Sequence, residues 1–183
     1  MFNGKVIHFI GIGGISMSGI ANIVKNMGAT ITGSDMQEGK TVNLLKEEGI
    51  KISIGEDPSL IYTAAISEDN KELVHAKELN KPLYERAKFL GLITTEYDNV
   101  ICISGTHGKS TTTGMISTIF LVANTNPTIQ IGAFLPKIHS NYHVGDKKYF
   151  IMEACEYKDS FLDFYPTSEV ILNVDDDHLD YFG

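Results

Sequence analysis

At 183 residues the chain has room for one or two domains and can bury a core without disulfides or a structural metal. Its 43% hydrophobic and 21% charged residues exclude a disordered or membrane class. The formal net charge of -8 excludes a general nucleic-acid binder, which needs clustered Lys and Arg, but a small anion held by backbone amides stays compatible with it.

The two cysteines, Cys102 and Cys155, lie in apolar segments without metal-ligand spacing, and are expected as buried small hydrophobes of a reducing compartment. The apolar run Val6 to Ile10 is too short for a signal-peptide core. No stretch reaches the roughly 20 apolar residues that cross a bilayer. The expectation is a cytoplasmic protein with no membrane insertion.

In chain order, Lys5 to Ile10 reads as a strand buried on both faces, and Ile15 to Met27 as a helix stopped by Gly28. Ala29 to Gly33 is the next strand, ending at Ser34 and Asp35. Val42 to Glu48 reads as helix, Lys51 to Ile54 and Leu60 to Ile66 as strands, Glu72 to Leu79 as helix. Pro82 to Tyr84 is expected as a short strand before a helix over Tyr84 to Leu90. Such alternation predicts a parallel sheet covered on both sides.

The polar segment Thr94 to Asn99 marks the boundary, giving units 1–96 and 97–183. A second alternation follows: strand Val100 to Ser104, helix Lys109 to Leu121, then strands near Thr128 to Ile131, Tyr149 to Glu153 and Val170 to Val174. The fold class is α/β, a Rossmann-like parallel-sheet domain followed by an incomplete phosphate-loop ATPase-type domain. Because the chain stops just after a strand, truncation is expected, with an uncovered sheet open to self-association.

Residues 103–113, ISGTHGKSTTT, follow an apolar strand and open a helix. Glycines let the backbone wrap phosphates, and the helix N-terminus adds about half a positive charge. Lys109 is expected at the β and γ phosphates of ATP, and the Ser110 hydroxyl on Mg²⁺. The general GxxxxGK[ST] pattern wants glycine where Ile103 stands, so this is a shortened loop beginning at Gly105.

A second glycine turn, GIGGISMSG over Gly11 to Gly19, precedes Asp35 at the end of the next strand. It fits a packing turn, a dinucleotide cofactor or another nucleotide diphosphate, and Ser16 stands at the third glycine position. Glu153 ends a strand where an α/β sheet presents ligands, and is placed to supply an oxygen to Mg²⁺ beside Ser110. Asp175 to Asp180, with His178, follows another strand, and Asp175 to Asp177 reads equally as a solvated loop. His139 and His143, four apart, are read as a plain surface loop.

These residues resemble the Mur ligases of peptidoglycan synthesis along the whole chain: IHFIGIGGISMSGIA, AISEDNKEL, GTHGKSTTT, EACEYKDSFL and NVDDDHLDYF. The resemblance implies a three-domain enzyme of which this is the first domain and part of the second. It implies the branch that joins L-alanine to UDP-N-acetylmuramate through an acyl phosphate, with murein-peptide recycling as the alternative. An NAD-dependent oxidoreductase is the reading from another class.

By the same resemblance Gly105, Thr106, His107, Gly108, Lys109, Ser110 and Thr111 hold ATP, and Lys109, Glu153 and His178 serve catalysis. Ser110, Glu153 and His178 bind magnesium. Gly11, Gly13 and Gly14 receive the UDP diphosphate, Ser18 belongs to the same substrate-binding set, and Asp35 takes the uridine end. No role is assigned to Glu156.

Overall fold

The computed structural model describes residues 1–55 and 70–176. The expected strand Leu60 to Ile66, and His178, lie outside them. The chain forms two compact units, Met1–Arg86 and Ala87–Gly183.

The first unit runs β1 (Val6–Ile10), α1 (Ile15–Asn26), β2 (Thr30–Asp35), α2 (Lys40–Glu47), β3 (Lys51–Ile54) and α3 (Lys71–Glu78). The strands pair in parallel in the order β1-β2-β3, with Phe9 opposite Gly33 and Ser34 opposite Ser53. α1 buries Met17, Ile20, Ala21, Ile23 and Val24, and closes as the Gly28 amide donates to the Lys25 carbonyl. Met17, Ile20, Ile23 and Val24 each contribute about 1.5–3 kcal/mol on leaving water. α3 starts at Asn70, whose side-chain oxygen accepts from the Glu72 and Leu73 amides. Residues 82–84 carry no regular structure, so the strand expected there is absent. Three residues between two helices give no register with the sheet.

The second unit contains α4 (Arg86–Thr94, from its second residue on), β4 (Asn99–Ser104), α5 (Lys109–Val122), β5 (Pro127–Leu135), β6 (Ser140–His143), β7 (Asp146–Glu153) and β8 (Ser168–Ile171). The sheet order is β6-β5-β7-β4-β8. β4 lies between β7 and β8, parallel to both, and β5 is parallel to β7. β6 is antiparallel to β5, so this sheet is mixed, and the loop expected around His139 and His143 contains a strand. Val100, Cys102, Ile103, Phe150, Ile151 and Met152 are nearly free of solvent, as central strands covered on both faces must be. Tyr97 lies against Phe150 with ring centroids 4.9 Å apart and donates its hydroxyl to Thr128 Oγ1 at 3.1 Å.

β8 begins and ends earlier than Val170 to Val174 because its register is set by β4: Ile101 faces Ser168 and Ser104 faces Ile171. Past Ser104 the neighbouring chain has become a loop. No helix among the described residues is long and apolar enough to cross a membrane.

Candidate functional site

The site of the second unit sits at the carboxyl ends of β4 and β7, where open α/β sheets bind ligands. The ladder runs to its edge: Ile103 is paired with Glu153, and the Ala154 amide donates to the Ile103 carbonyl at 2.8 Å. On the other side the Leu172 amide donates to the Ser104 carbonyl.

Gly105 leaves the strand at φ +132°, where a Cβ would come 3.0 Å from Leu172 Cβ and 3.1 Å from the Asn173 nitrogen. Both backbone angle and space require glycine there. The next residues are laid along 173–175. The His107 amide donates to Asn173 Oδ1 at 2.9 Å, and Asn173 Nδ2 donates to the His107 carbonyl at 3.0 Å. Thr106 Oγ1 accepts from the Asp175 amide at 3.0 Å and donates to its carbonyl at 3.3 Å. Gly108, at φ +85°, then turns the chain into α5.

The amides of Lys109, Ser110 and Thr111 fall in the first turn, where a helix supplies no carbonyl partner, and the helix dipole adds positive potential. Lys109 Nζ is folded back over the loop. It donates to the carbonyls of Gly105 (2.6 Å) and Thr106 (3.2 Å) and to both oxygens of Glu156 (3.0 Å each). The pair is mostly buried, at 17% and 20% side-chain exposure. Glu153, the last residue of β7, is fixed by Gly132, whose amide donates to Oε1 at 2.9 Å. A Cβ on Gly132 would come 3.1 Å from Oε2.

An open cleft of about 670 Å³ borders Ser110 and Thr111 and is walled by Met115, Ile119, Ile131 and Phe134. These apolar walls offer an anion nothing, whereas the first turn of α5 carries N–H groups without a helical carbonyl partner. Oxygen donors such as the Ser110 hydroxyl and the anchored Glu153 carboxylate suit a hard divalent cation. Among the described residues no three His, Cys, Asp or Glu side chains group at metal-binding distances.

In the first unit the glycine turn is held by Ser34, whose carbonyl accepts from the amides of Gly11 (2.8 Å) and Ile12 (3.0 Å). The Asp35 carboxylate accepts from the Gly13 amide at 2.8 Å. Gly13 has no room for a side chain: a Cβ would come 2.7 Å from Val42 Cγ2 and 2.8 Å from Asp35 Oδ2. Ser16 accepts from Arg86 Nη1 at 3.3 Å. Ser18 lies in the helix that follows the turn. It is buried, and its hydroxyl donates to the Ile15 carbonyl, one turn back in α1.

Sequence reasoning missed a buried polar group beneath this turn. Ser34 Oγ donates to Glu72 Oε2 at 2.7 Å, His8 Nδ1 lies 2.9 Å from Thr32 Oγ1, and His8 Nε2 is 3.6 Å from Glu72 Oε1. Glu72 is only 1% exposed. It also missed Asn173 and the pairing of Glu156 with Lys109. Gly11, Gly13, Gly14 and Asp35 do converge at one turn, as do Gly105 to Thr111 at the other.

Burial in β4, helped by the charge of Glu169, pushes the Cys102 thiol up to about 12, whereas Cys155 is only half-buried, against the expectation of a buried small hydrophobe there.

Residues 6–98 match the Mur ligase family, catalytic domain, and residues 103–183 the Mur ligase middle domain. The chain is 58% identical over 181 residues to the UDP-N-acetylmuramate--L-alanine ligase of Caldicellulosiruptor bescii, covering 95% of this chain and 40% of that protein. With the ligase of the same name from Clostridium perfringens it shares 50% over 185 residues, covering 97% and 40%. Among solved structures it is similar to the UDP-N-acetylmuramate-alanine ligase MurC of Thermotoga maritima, with a TM-score of 0.86 at 29% identity, covering 97% of this chain and 43% of that one. The chain thus spans about 40% of the length of the curated relatives it matches.

Proposed function

This chain belongs to the Mur ligase family, and we propose that it supplies the UDP-sugar and ATP sites of an enzyme joining L-alanine to UDP-N-acetylmuramate. The observation that carries this reading is the loop Gly105 to Ser110. It lies between a central parallel strand and a helix whose first-turn amides are open, with the ammonium of Lys109 folded over it. The relatives' names supply the substrates. Residues 1–96 are assigned to the UDP-sugar and 97–183 to ATP.

In the proposed reaction the lactyl carboxylate of UDP-N-acetylmuramate attacks the γ-phosphorus of ATP, giving an acyl phosphate and ADP. The L-alanine amine then attacks the acyl carbon, phosphate leaves, the ammonium loses a proton, and an amide remains. Phosphoryl transfer depends on positioning and on stabilising charge over the phosphate oxygens. The amides of residues 108–111 and Lys109 Nζ supply that charge.

The Ser110 hydroxyl and the Glu153 carboxylate would hold Mg²⁺, with His178 as a further ligand implied by the family. When bound, that ion would supply charge neutralisation at the phosphate oxygens. Gly132 keeps the Glu153 carboxylate in one orientation. In the first unit the turn of Gly11, Gly13 and Gly14 would let the diphosphate approach the backbone, with the Gly13 amide as donor once Asp35 releases it to take the uridine end.

The test is phosphate release by the intact gene product. Release should require UDP-N-acetylmuramate and L-alanine together. Turnover of UDP-N-acetylmuramate with a free murein tripeptide that begins with L-alanine, but not with L-alanine itself, would move the assignment to murein-peptide recycling. ATP hydrolysis indifferent to both substrates would refute the ligase reading.

A further inference from the structure

We propose that Asn173 is a positioning residue for the phosphate loop: it fixes the His107 peptide so that the amides of residues 108–111, and not those of Thr106 and His107, face the triphosphate. The inference rests on the ATP reading above.

The Asn173 carboxamide engages both polar groups of one residue, accepting from the His107 N–H and donating to the His107 C=O. Among side chains of this length only a carboxamide carries donor and acceptor together in one plane. Aspartate would keep the first bond and set an oxygen against the His107 carbonyl. Alanine would keep neither.

The backbone reinforces the contact. The Thr106 amide points at the Asn173 carbonyl at 3.4 Å, and the two-way contact of Thr106 Oγ1 with Asp175 ties the next residues together. Residues 105–107 therefore extend the β4–β8 pairing beyond its last ladder residue, and the side chain of Asn173 carries that pairing furthest, to His107. The amides of Thr106 and His107 are turned toward Asn173. The phosphate-facing donors begin at Gly108.

Anion sites built from backbone amides work because the amides are already aimed, so no binding energy goes into ordering them. Asn173 is exposed, and its hydrogen bonds add little to global stability. Their effect is local, on the direction of the His107 peptide and so on the turn at Gly108.

The experiment is calorimetric titration of the intact gene product with Mg·ATP and, separately, with UDP-N-acetylmuramate, for wild type, Asn173→Ala, Asn173→Asp and Lys109→Ala. Asn173→Ala should weaken Mg·ATP about tenfold, leave the UDP-sugar affinity unchanged and keep a near-wild-type Tm. Asn173→Asp should lose at least as much, and part of its loss should vanish at high salt. In the wild type, hydrogen exchange of the His107 amide should be slow without nucleotide and stay slow with Mg·ATP. Wild-type ATP affinity in Asn173→Ala, or faster His107 exchange on adding Mg·ATP, would overturn the proposal. If Lys109→Ala alone loses affinity, only the role of Asn173 fails. If neither variant loses it, the ATP reading fails as well.

Discussion

Lys109 Nζ lies 3.0 Å from each carboxylate oxygen of Glu156, so the loop ammonium is paired with an anion of its own chain. A triphosphate would have to share that ammonium or displace Glu156. Glu156→Gln removes the competing charge and should tighten nucleotide binding by roughly three- to tenfold, while lowering stability by about 1–2 kcal/mol because a mostly buried pair is broken. Calorimetric titration with ADP and urea unfolding measure the two effects. Weaker binding together with lower stability would mean that Glu156 supports the site rather than competing for Lys109.

Lys109→Ala in the intact gene product should lose at least about 3 kcal/mol of transition-state stabilisation, seen as a fall of more than about a hundredfold in kcat/KM for ATP. The two loop carbonyls and Glu156 that it leaves behind are all electronegative, so the remaining site is worse than neutral for a phosphate. A near-normal rate would remove Lys109 from the reaction.

The two glycines of the loop should differ in tolerance. Gly108→Ala meets only Leu172 Cδ1, at 3.4 Å, so the loss should be mainly the left-handed backbone cost of roughly 1–2 kcal/mol. Gly105→Ala combines φ +132° with contacts of 3.0–3.2 Å on Leu172 and Asn173, and should cost roughly 3 kcal/mol or more. Urea unfolding of both variants gives the order directly. Equal losses would contradict the close approach of Gly105 to the chain beyond β8.

Cys102 should resist alkylation in the native protein at pH 8.5, while half-buried Cys155 reacts; unfolding should release both. The Cys102 thiol ordinarily titrates at 9.0 and is pushed up to about 12 by burial in β4 and then by Glu169. Between those values the folded chain keeps a proton that the unfolded chain has lost. The stability tied to this group is therefore whole below about pH 9 and declines as pH rises toward 12. Denaturation midpoints measured across that range should fall more steeply in wild type than in Cys102→Ala.

The alternating strands and helices, and both glycine turns, were legible because buried strands are short apolar runs and the turns between them need glycine. The glycine loop of residues 105–110, between β4 and α5, was legible because its residues are contiguous. What stayed hidden depends on partners far away in the chain. Asn173 reads as part of a strand until its amide is seen on His107, and Glu72 reads as an ordinary first-turn acid until Ser34 is found beneath it. β6 was missed because Ser140 to His143 has no apolar alternation; it is a strand by pairing with the edge of β5. The apolar run Val170 to Val174 overshoots β8 because β4 gives it nothing to pair with in strand geometry past Ser104.

In the proposed reaction the first-turn amides of α5 receive the triphosphate of ATP. The most direct measurement is the amide ¹H–¹⁵N spectrum of the labelled protein during titration with Mg·ATP. Large shifts are expected for Gly108, Lys109, Ser110 and Thr111, with Gly11, Gly13 and Gly14 unmoved. Shifts confined to the Gly11 turn, or none at either, would contradict it.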